Sequence, residues 1–204
     1  SSKPVQIIPV MLSELKDLMW RDRDPLQSND FSFSRFLVPY LCNFKGVGIW
    51  MDCDMLVVDD IVKLWELLDE RYTAQAVKHR HTPQEDIKYL GNIQTQYPKK
   101  NWSSVLLFNN SKCKVLTPEY INTASGLDLH QFKWLESDKL IGALPLRWNF
   151  LVDYYANIPL NEISLLHWTK GGCYFSEYEN CSYADVWRKE YKSMTNVMRV
   201  EEKV

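Results

Sequence analysis

Short apolar runs alternate with amphipathic stretches along most of the chain, an alternation that predicts strands and helices in an α/β order. Val5-Gln6-Ile7-Ile8-Pro9-Val10 reads as a first short strand, and the polar stretch from Arg21 to Asp30, with Pro25, as a loop. Phe33, Phe36, Leu37, Tyr40 and Leu41 recur at helical spacing, with Pro39 a blemish near the end of the pattern. Val47 to Met51 is an apolar run after Gly46, the pattern of a buried central strand. Asp59 or Asp60 then offers a cap for a helix whose Ile61, Leu64, Trp65 and Leu68 share one face.

Tyr72 to Lys78 predicts another strand, and the polar, irregular residues 79–101 a long loop of the kind that binding uses. Val105 to Phe108 is again strand-like. Thr117-Pro118-Glu119 opens a helix with a capping hydroxyl and a first-turn proline, and Gly126 offers it a stop. Residues 127–160, rich in Trp, Pro and Asn, declare no clear element. Ile163 to Leu166 is a last short strand ending at His167, and Ser182 with Asp185 forms a capping box for a C-terminal helix. Without repeats or linkers, the chain reads as a single domain over residues 1–204.

Composition narrows what such a domain does. A hydrophobic fraction of 46% with 13% aromatics supports a packed interior and argues against disorder. Twenty-four basic residues nearly balance 26 acidic ones, with no basic stripe interleaved with aromatics, which excludes nucleic acid as the expected partner. Any phosphate handled is then small and gripped locally. Cys42, Cys53, Cys113, Cys173 and Cys181 are odd in number and lack C-x-x-C spacing, pointing away from a disulfide framework or structural zinc and toward a reducing cytosol. The N-x-S triplets at Asn101, Asn109 and Asn180 read as chance in the absence of a secretory signal. No apolar run approaches the ~20 residues that span a bilayer, so the expectation is a soluble, cytoplasmic protein with no membrane span.

The chemistry concentrates at Asp52-Cys53-Asp54, directly after an apolar strand. In open α/β sheets ligands gather at the carboxyl ends of strands, which is where these acids stand. If strand geometry continues through Asp54, both side chains face one side. Carboxylates that close repel unless a cation lies between them, and Mg²⁺ or Mn²⁺ takes one or two carboxylates with water and phosphate oxygens. The alternative is two solvated acids at a strand end, and the position directly after so apolar a strand favours function over it. His167-Trp168-Thr169-Lys170-Gly171-Gly172 adds a histidine at a strand end, then a cation and two glycines suited to close approach of an anion. An imidazole nitrogen tilts the metal from Mg²⁺ toward Mn²⁺, although a lone histidine is more often a satisfied core residue. Arg35, on the aromatic helix face, either reaches a phosphate or sugar or packs its stem as an ordinary surface arginine.

Arg35-Phe36-Leu37-Val38-Pro39, followed by Trp50-Met51-Asp52-Cys53-Asp54-Met55-Leu56-Val57, resembles the core of the family 8-like glycosyltransferases of the GT-A fold. Trp102-Ser103-Ser104-Val105-Leu106-Leu107-Phe108-Asn109 resembles that family's strand beside the donor sugar, and Leu166 to Gly172 its C-terminal metal-histidine motif. The resemblance runs from Val5 to Trp187 and implies a GT-A-like (Rossmann-like) mixed sheet flanked by helices. It implies a transferase that moves a sugar from a nucleotide-sugar, most often a UDP-sugar, with retention, to a glycan, lipid or protein acceptor. Asp52, Asp54 and His167 would hold Mn²⁺ (or Mg²⁺) on the donor diphosphate, with Lys170, Gly171 and Gly172 contacting it. Arg35 would approach the sugar and phosphates, with Trp102 and Ser103 beside them. Glu136 and Asp138 stand where the family has an acidic pair near the sugar, or are solvated loop acids, and Trp148-Asn149 resembles a segment lining the cleft, with core packing as the alternative. The acceptor would enter by the loops over residues 79–101 and 127–160, and Trp134, Trp148 and Trp168 are candidates for stacking on sugar rings, with core packing as the alternative. A homo-oligomer is compatible with this reading.

The match departs in two places. The family opens with a strand and helix carrying much of the uracil and ribose pocket, whereas this sequence starts at what resembles the second strand. Trp102 stands where the family has a small polar residue. Two other readings compete. One is a non-catalytic nucleotide-sugar-binding module that keeps the metal ligands. The other is a haloacid-dehalogenase-like phosphatase, which wants Thr or Val where this chain has Leu56.

Overall fold

The strand-like runs pair into two sheets, seen in a computed structural model that describes residues 1–23, 31–80 and 98–201, with residues 197–201 as backbone alone. Helix α1 (Val38–Leu41) leads into strands β1 (Val47–Met51) and β2 (Met55–Val57), followed by α2 (Val62–Trp65), β3 (Ala74–Val77) and β4 (Val105–Asn109). Then come α3 (Pro118–Thr123), α4 (Gly126–His130), β5 (Ile141–Leu144), β6 (Phe150–Leu151), β7 (Leu165–His167) and α5 (Ala184–Glu201). The larger sheet has the order β1-β4-β3-β5, with β4 antiparallel to β1 and β3, and β5 parallel to β3. The smaller has the order β2-β7-β6, with β2 antiparallel and β6 parallel to β7. This is the expected mixed α/β architecture with flanking helices.

Strand β4 is the centre of the core. Its Leu106 and Phe108 face a cluster with Phe36, Leu37, Ile121 and Leu129, while Val105 and Leu107 face another with Leu64, Val77, Leu144 and Trp148. A strand buried on both faces needs a continuous apolar run, which is why this one is plain in the sequence. Removing each such large side chain from water contributes about 1.5–3 kcal/mol. A third cluster, with Phe150, Leu166 and Trp168, packs on the smaller sheet.

Several expectations need correction. Val5–Val10 forms no strand; Pro4 and Pro9 remove two ladder donors, and Ile7 and Ile8 face solvent at 83% and 68% exposure. Strand β1 is an edge of its sheet rather than its centre. Pro39 falls in the first turn of α1, where its missing N–H costs nothing, and a 3₁₀ turn at Ser34–Leu37 precedes it. Trp65 lies outside the buried face of α2, which only Leu64 fully occupies. Gly126 starts α4 instead of stopping α3: Ser125 accepts from the Asp128 amide at 3.0 Å and caps the new helix. The Ser182 hydroxyl accepts from Asn157 at 2.8 Å rather than closing a capping box. Two caps stand as read, with Thr117 accepting from the Tyr120 amide at 3.2 Å and Asp60 from that of Val62 at 3.1 Å.

Candidate metal and donor site

The Asp52-Cys53-Asp54 triplet is not a continuation of β1. It is the turn by which the chain leaves the larger sheet and enters the smaller, and that turn turns both acids into one space. The Asp52 amide donates to Ser104 O at 3.1 Å, on the β4 side, and the Trp168 amide donates to Asp54 O at 3.0 Å, on the β7 side. Because Met55 pairs with His167, the imidazole arrives beside the second aspartate. His167 Nε2 lies 3.3 Å from Asp54 Oδ1, and its Nδ1 lies 2.9 Å from Asn149 Oδ1.

Arg35 braces the first aspartate. Its Nη2 lies 3.0 Å from Asp52 Oδ1, while Nε donates to Ser32 O and Nη1 to Ser103 O, each at 2.9 Å. Trp50 Nε1 donates to the same Oδ1 at 2.8 Å, which leaves Oδ2 as the atom to offer a cation. Burial pushes the Asp52 carboxyl up from its ordinary range; the Arg35 guanidinium pulls it back down, and Asp54 pushes it further up. Behind Arg35, the Ser103 hydroxyl meets His130 Nδ1 at 2.8 Å. Burial, and then the nearby Arg35 and Arg21 cations, lower the His130 imidazole to about 3, so it stays neutral.

One ligand-capable atom each from Asp52, Asp54 and His167 lies within 4.8 Å of the others. An octahedral shell with bonds of about 2.1 Å places its atoms roughly 3–4 Å apart, so small side-chain rotations would close the triad on an ion. Two carboxylates with one imidazole fit a divalent cation of the Mg²⁺ or Mn²⁺ kind.

No protein-family model matches the sequence. Over 197 residues it is 44% identical to Protein CDI of Arabidopsis thaliana, across 93% of this chain and 76% of that protein. This chain belongs to the Protein CDI family. Solved structures give the CDI-family chain its fold class. The apo form of the glycosyltransferase GlyE of Streptococcus pneumoniae TIGR4 is similar with a TM-score of 0.53 and 18% identity, over 83% of this chain and 44% of that one. An active-site mutant of LgtC is similar with a TM-score of 0.53 and 18% identity, over 79% of this chain and 66% of that one. The bifunctional WbbM has a TM-score of 0.50 and 13% identity, over 76% of this chain and 34% of that one. The fold is GT-A-like, and the CDI-family chain spans less than half the length of GlyE.

Ser103 is buried against Arg35, and Trp102, in the same 3₁₀ turn, donates from Nε1 to His79 O at 2.9 Å. Lys170 is half-buried at the mouth of the turn after β7. The Gly171 amide is taken by Trp168 O at 2.9 Å, and the two glycines make room for rings: a Cβ on Gly171 would meet Tyr178 at 2.5 Å, and one on Gly172 would meet Tyr174 at 2.3 Å. Glu136 and Asp138 are exposed, and Asp138 is paired with Lys99 at 2.5 Å. Trp134, Trp148 and Trp168 are core residues, 6%, 2% and 1% exposed, so their faces are already covered and the stacking expectation for them is overturned. Residues 81–97 of the predicted entry loop 79–101 lie outside the described residues, as do residues 24–30 of the loop read from Arg21 to Asp30. Sequence reasoning missed His130, which lies in no motif, and gave no role to Ser104 within the Trp102–Asn109 segment; both join the site through hydrogen bonds across the fold.

Proposed function

We propose that this CDI-family chain is a metal-dependent glycosyltransferase of the family 8-like kind, taking a nucleotide-sugar of the UDP-sugar class and transferring its sugar with retention. The reading rests on the convergence of Asp52, Asp54 and His167 at the carboxyl end of β1 in a GT-A-like fold. In the reaction the bond from sugar C1 to the diphosphate oxygen breaks, a bond from C1 to an acceptor hydroxyl oxygen forms, and the hydroxyl proton passes to the departing diphosphate. A bound Mn²⁺ supplies neutralisation of the charge that builds on the departing nucleoside diphosphate. Asp52, Asp54 and His167 would hold that ion, Arg35 keeps Asp52 aimed, and Lys170 adds a second positive charge beside the phosphates. Five free thiols, two of them exposed, support a reducing, cytoplasmic setting.

Release of nucleoside diphosphate from a panel of nucleotide-sugars, with Mn²⁺ and with chelator, tests the reading. One donor should turn over, and Asp54→Ala should slow it by at least about a hundredfold. A second reading, donor binding without transfer, is favoured by the exposure of Glu136 and Asp138 and the engagement of Asp138 by Lys99. It predicts a Mn²⁺-dependent rise in melting temperature with donor and no released diphosphate.

A further inference from the structure

His167 has two ring nitrogens, and only one can face a cation as a lone pair. What the other nitrogen touches decides which. Its Nδ1 meets Asn149 Oδ1 at 2.9 Å, and Asn149 is fully buried, so no solvent competes. The orientation of the Asn149 amide follows from its other end. Nδ2 lies 2.8 Å from Ser104 Oγ and 3.3 Å from Asn101 O. The Ser104 hydroxyl donates its proton to Asn101 O at 2.7 Å, so it can only accept from Asn149. Turning the amide over would set its carbonyl oxygen against the Asn101 carbonyl with no proton between them, and the single Ser104 proton could then serve only one of the two oxygens. The oxygen therefore faces the imidazole and requires a proton on Nδ1. Nε2, on the Asp54 side, is left as the lone pair.

Ser104 also holds the other half of the site, since its carbonyl accepts the Asp52 amide at 3.1 Å. Asn149 thus stands between the histidine and the residue that anchors the first aspartate. We infer that Asn149 is the positioning residue that fixes the tautomer of His167 and so presents Nε2 to a divalent cation, an inference that rests on the metal site of the proposed transferase. Partners of this kind behind a metal-bound histidine typically change metal affinity 10–100-fold when removed.

The test titrates MnCl₂ calorimetrically into the full, donor-free chain, with each variant's fold checked by a thermal melt in chelator. Asn149→Leu should weaken Mn²⁺ by about 10–100-fold. Asn149→Asp loses the same two donor bonds yet keeps an acceptor for the Nδ1 proton, and should stay within about tenfold of wild type. In a His167→Ala background, Asn149→Leu should cost little more, because the nitrogen it aims is gone. Equal weakening by Leu and Asp, or the same weakening with His167 absent, would reduce Asn149 to a packing brace and overturn the inference. A measurement on wild type alone guards against a variant that does not fold. Nitrogen-15 NMR of the imidazoles at about pH 9, well above the ordinary histidine range, should find the His167 proton on Nδ1, and finding it on Nε2 overturns the inference. Wild type that binds Mn²⁺ while Asn149→Leu is silent sinks this inference alone; wild type that binds none sinks the transferase reading with it.

Discussion

His130 belongs to no motif, yet it makes a pH-dependent contribution that can be read in solution. Its imidazole is lowered to about 3 by burial and by the nearby Arg35 and Arg21, against an ordinary value of 6.5. Below the ordinary value the unfolded chain takes up a proton that the folded chain refuses. Stability is therefore fully present above about pH 6.5 and is lost as the pH falls toward 3, by at most about 1.4 kcal/mol for each unit. The depressed carboxylates Asp60 and Asp69, each at about 2, act only in a lower window, from 3.8 downward. Urea midpoints between pH 7 and 4 should fall for wild type and fall less for His130→Gln. Arg35 allows a different single-residue test. Its planar fork reaches Ser32, Ser103 and Asp52 at once, a geometry no ammonium reproduces. Arg35→Lys keeps the charge and should still lower diphosphate release about tenfold, with Mn²⁺ affinity weakened in parallel; unchanged Mn²⁺ affinity would show that the fork is not what aims Asp52.

At the scale of elements, the D-x-D segment shows what periodicity can and cannot convey. An apolar run ending in two acids was legible as a strand delivering carboxylates, and the acids do meet. The period-two argument for why they meet was wrong, because the strand ends at Met51 and a turn between two sheets does the work. Edge position was illegible for a similar reason: β1 has an apolar sequence because it packs between neighbouring helices and β4, and composition does not record how many strands lie alongside. The glycines separate packing from site. Gly142 in β5 lies against Tyr72 and Gln75, where an added Cβ would come within 2.5 Å of the ring. Gly142→Ala should lower stability by about 1–3 kcal/mol in urea unfolding and leave Mn²⁺ affinity unchanged. Gly171 has φ +138° and Tyr178 overhead, so Gly171→Ala combines backbone strain with a clash in the turn that carries Lys170. That variant should lose donor-induced thermal stabilisation along with stability.

Over the whole molecule, the α/β order, β4 as a strand and the three residues that converge at the candidate site were legible because each is a local pattern with a physical reason. The links that make a site of them were not: Arg35 to Ser103, Ser103 to His130 and His167 to Asn149 join positions far apart in the chain, and no spacing rule encodes them. A cation held by both sheets should report on the fold as a whole. At a hundred times its dissociation constant Mn²⁺ contributes about 2.7 kcal/mol by mass action, which for a chain of this size raises the melting temperature by about 5–10 °C. Chelator should reverse the rise, and Asp54→Ala should abolish it. The turn that joins the sheets also ties the site's lifetime to the weaker of them. Strands β2 and β7 have three residues each and β6 has two, so few ladder bonds oppose their separation. Amide hydrogen exchange at Trp168, whose N–H is held by Asp54, should therefore follow the fast opening of the small sheet, while the amides of β4 exchange only on global unfolding. In the absence of metal, the triad should then come apart and reassemble many times for each opening of the β4 core.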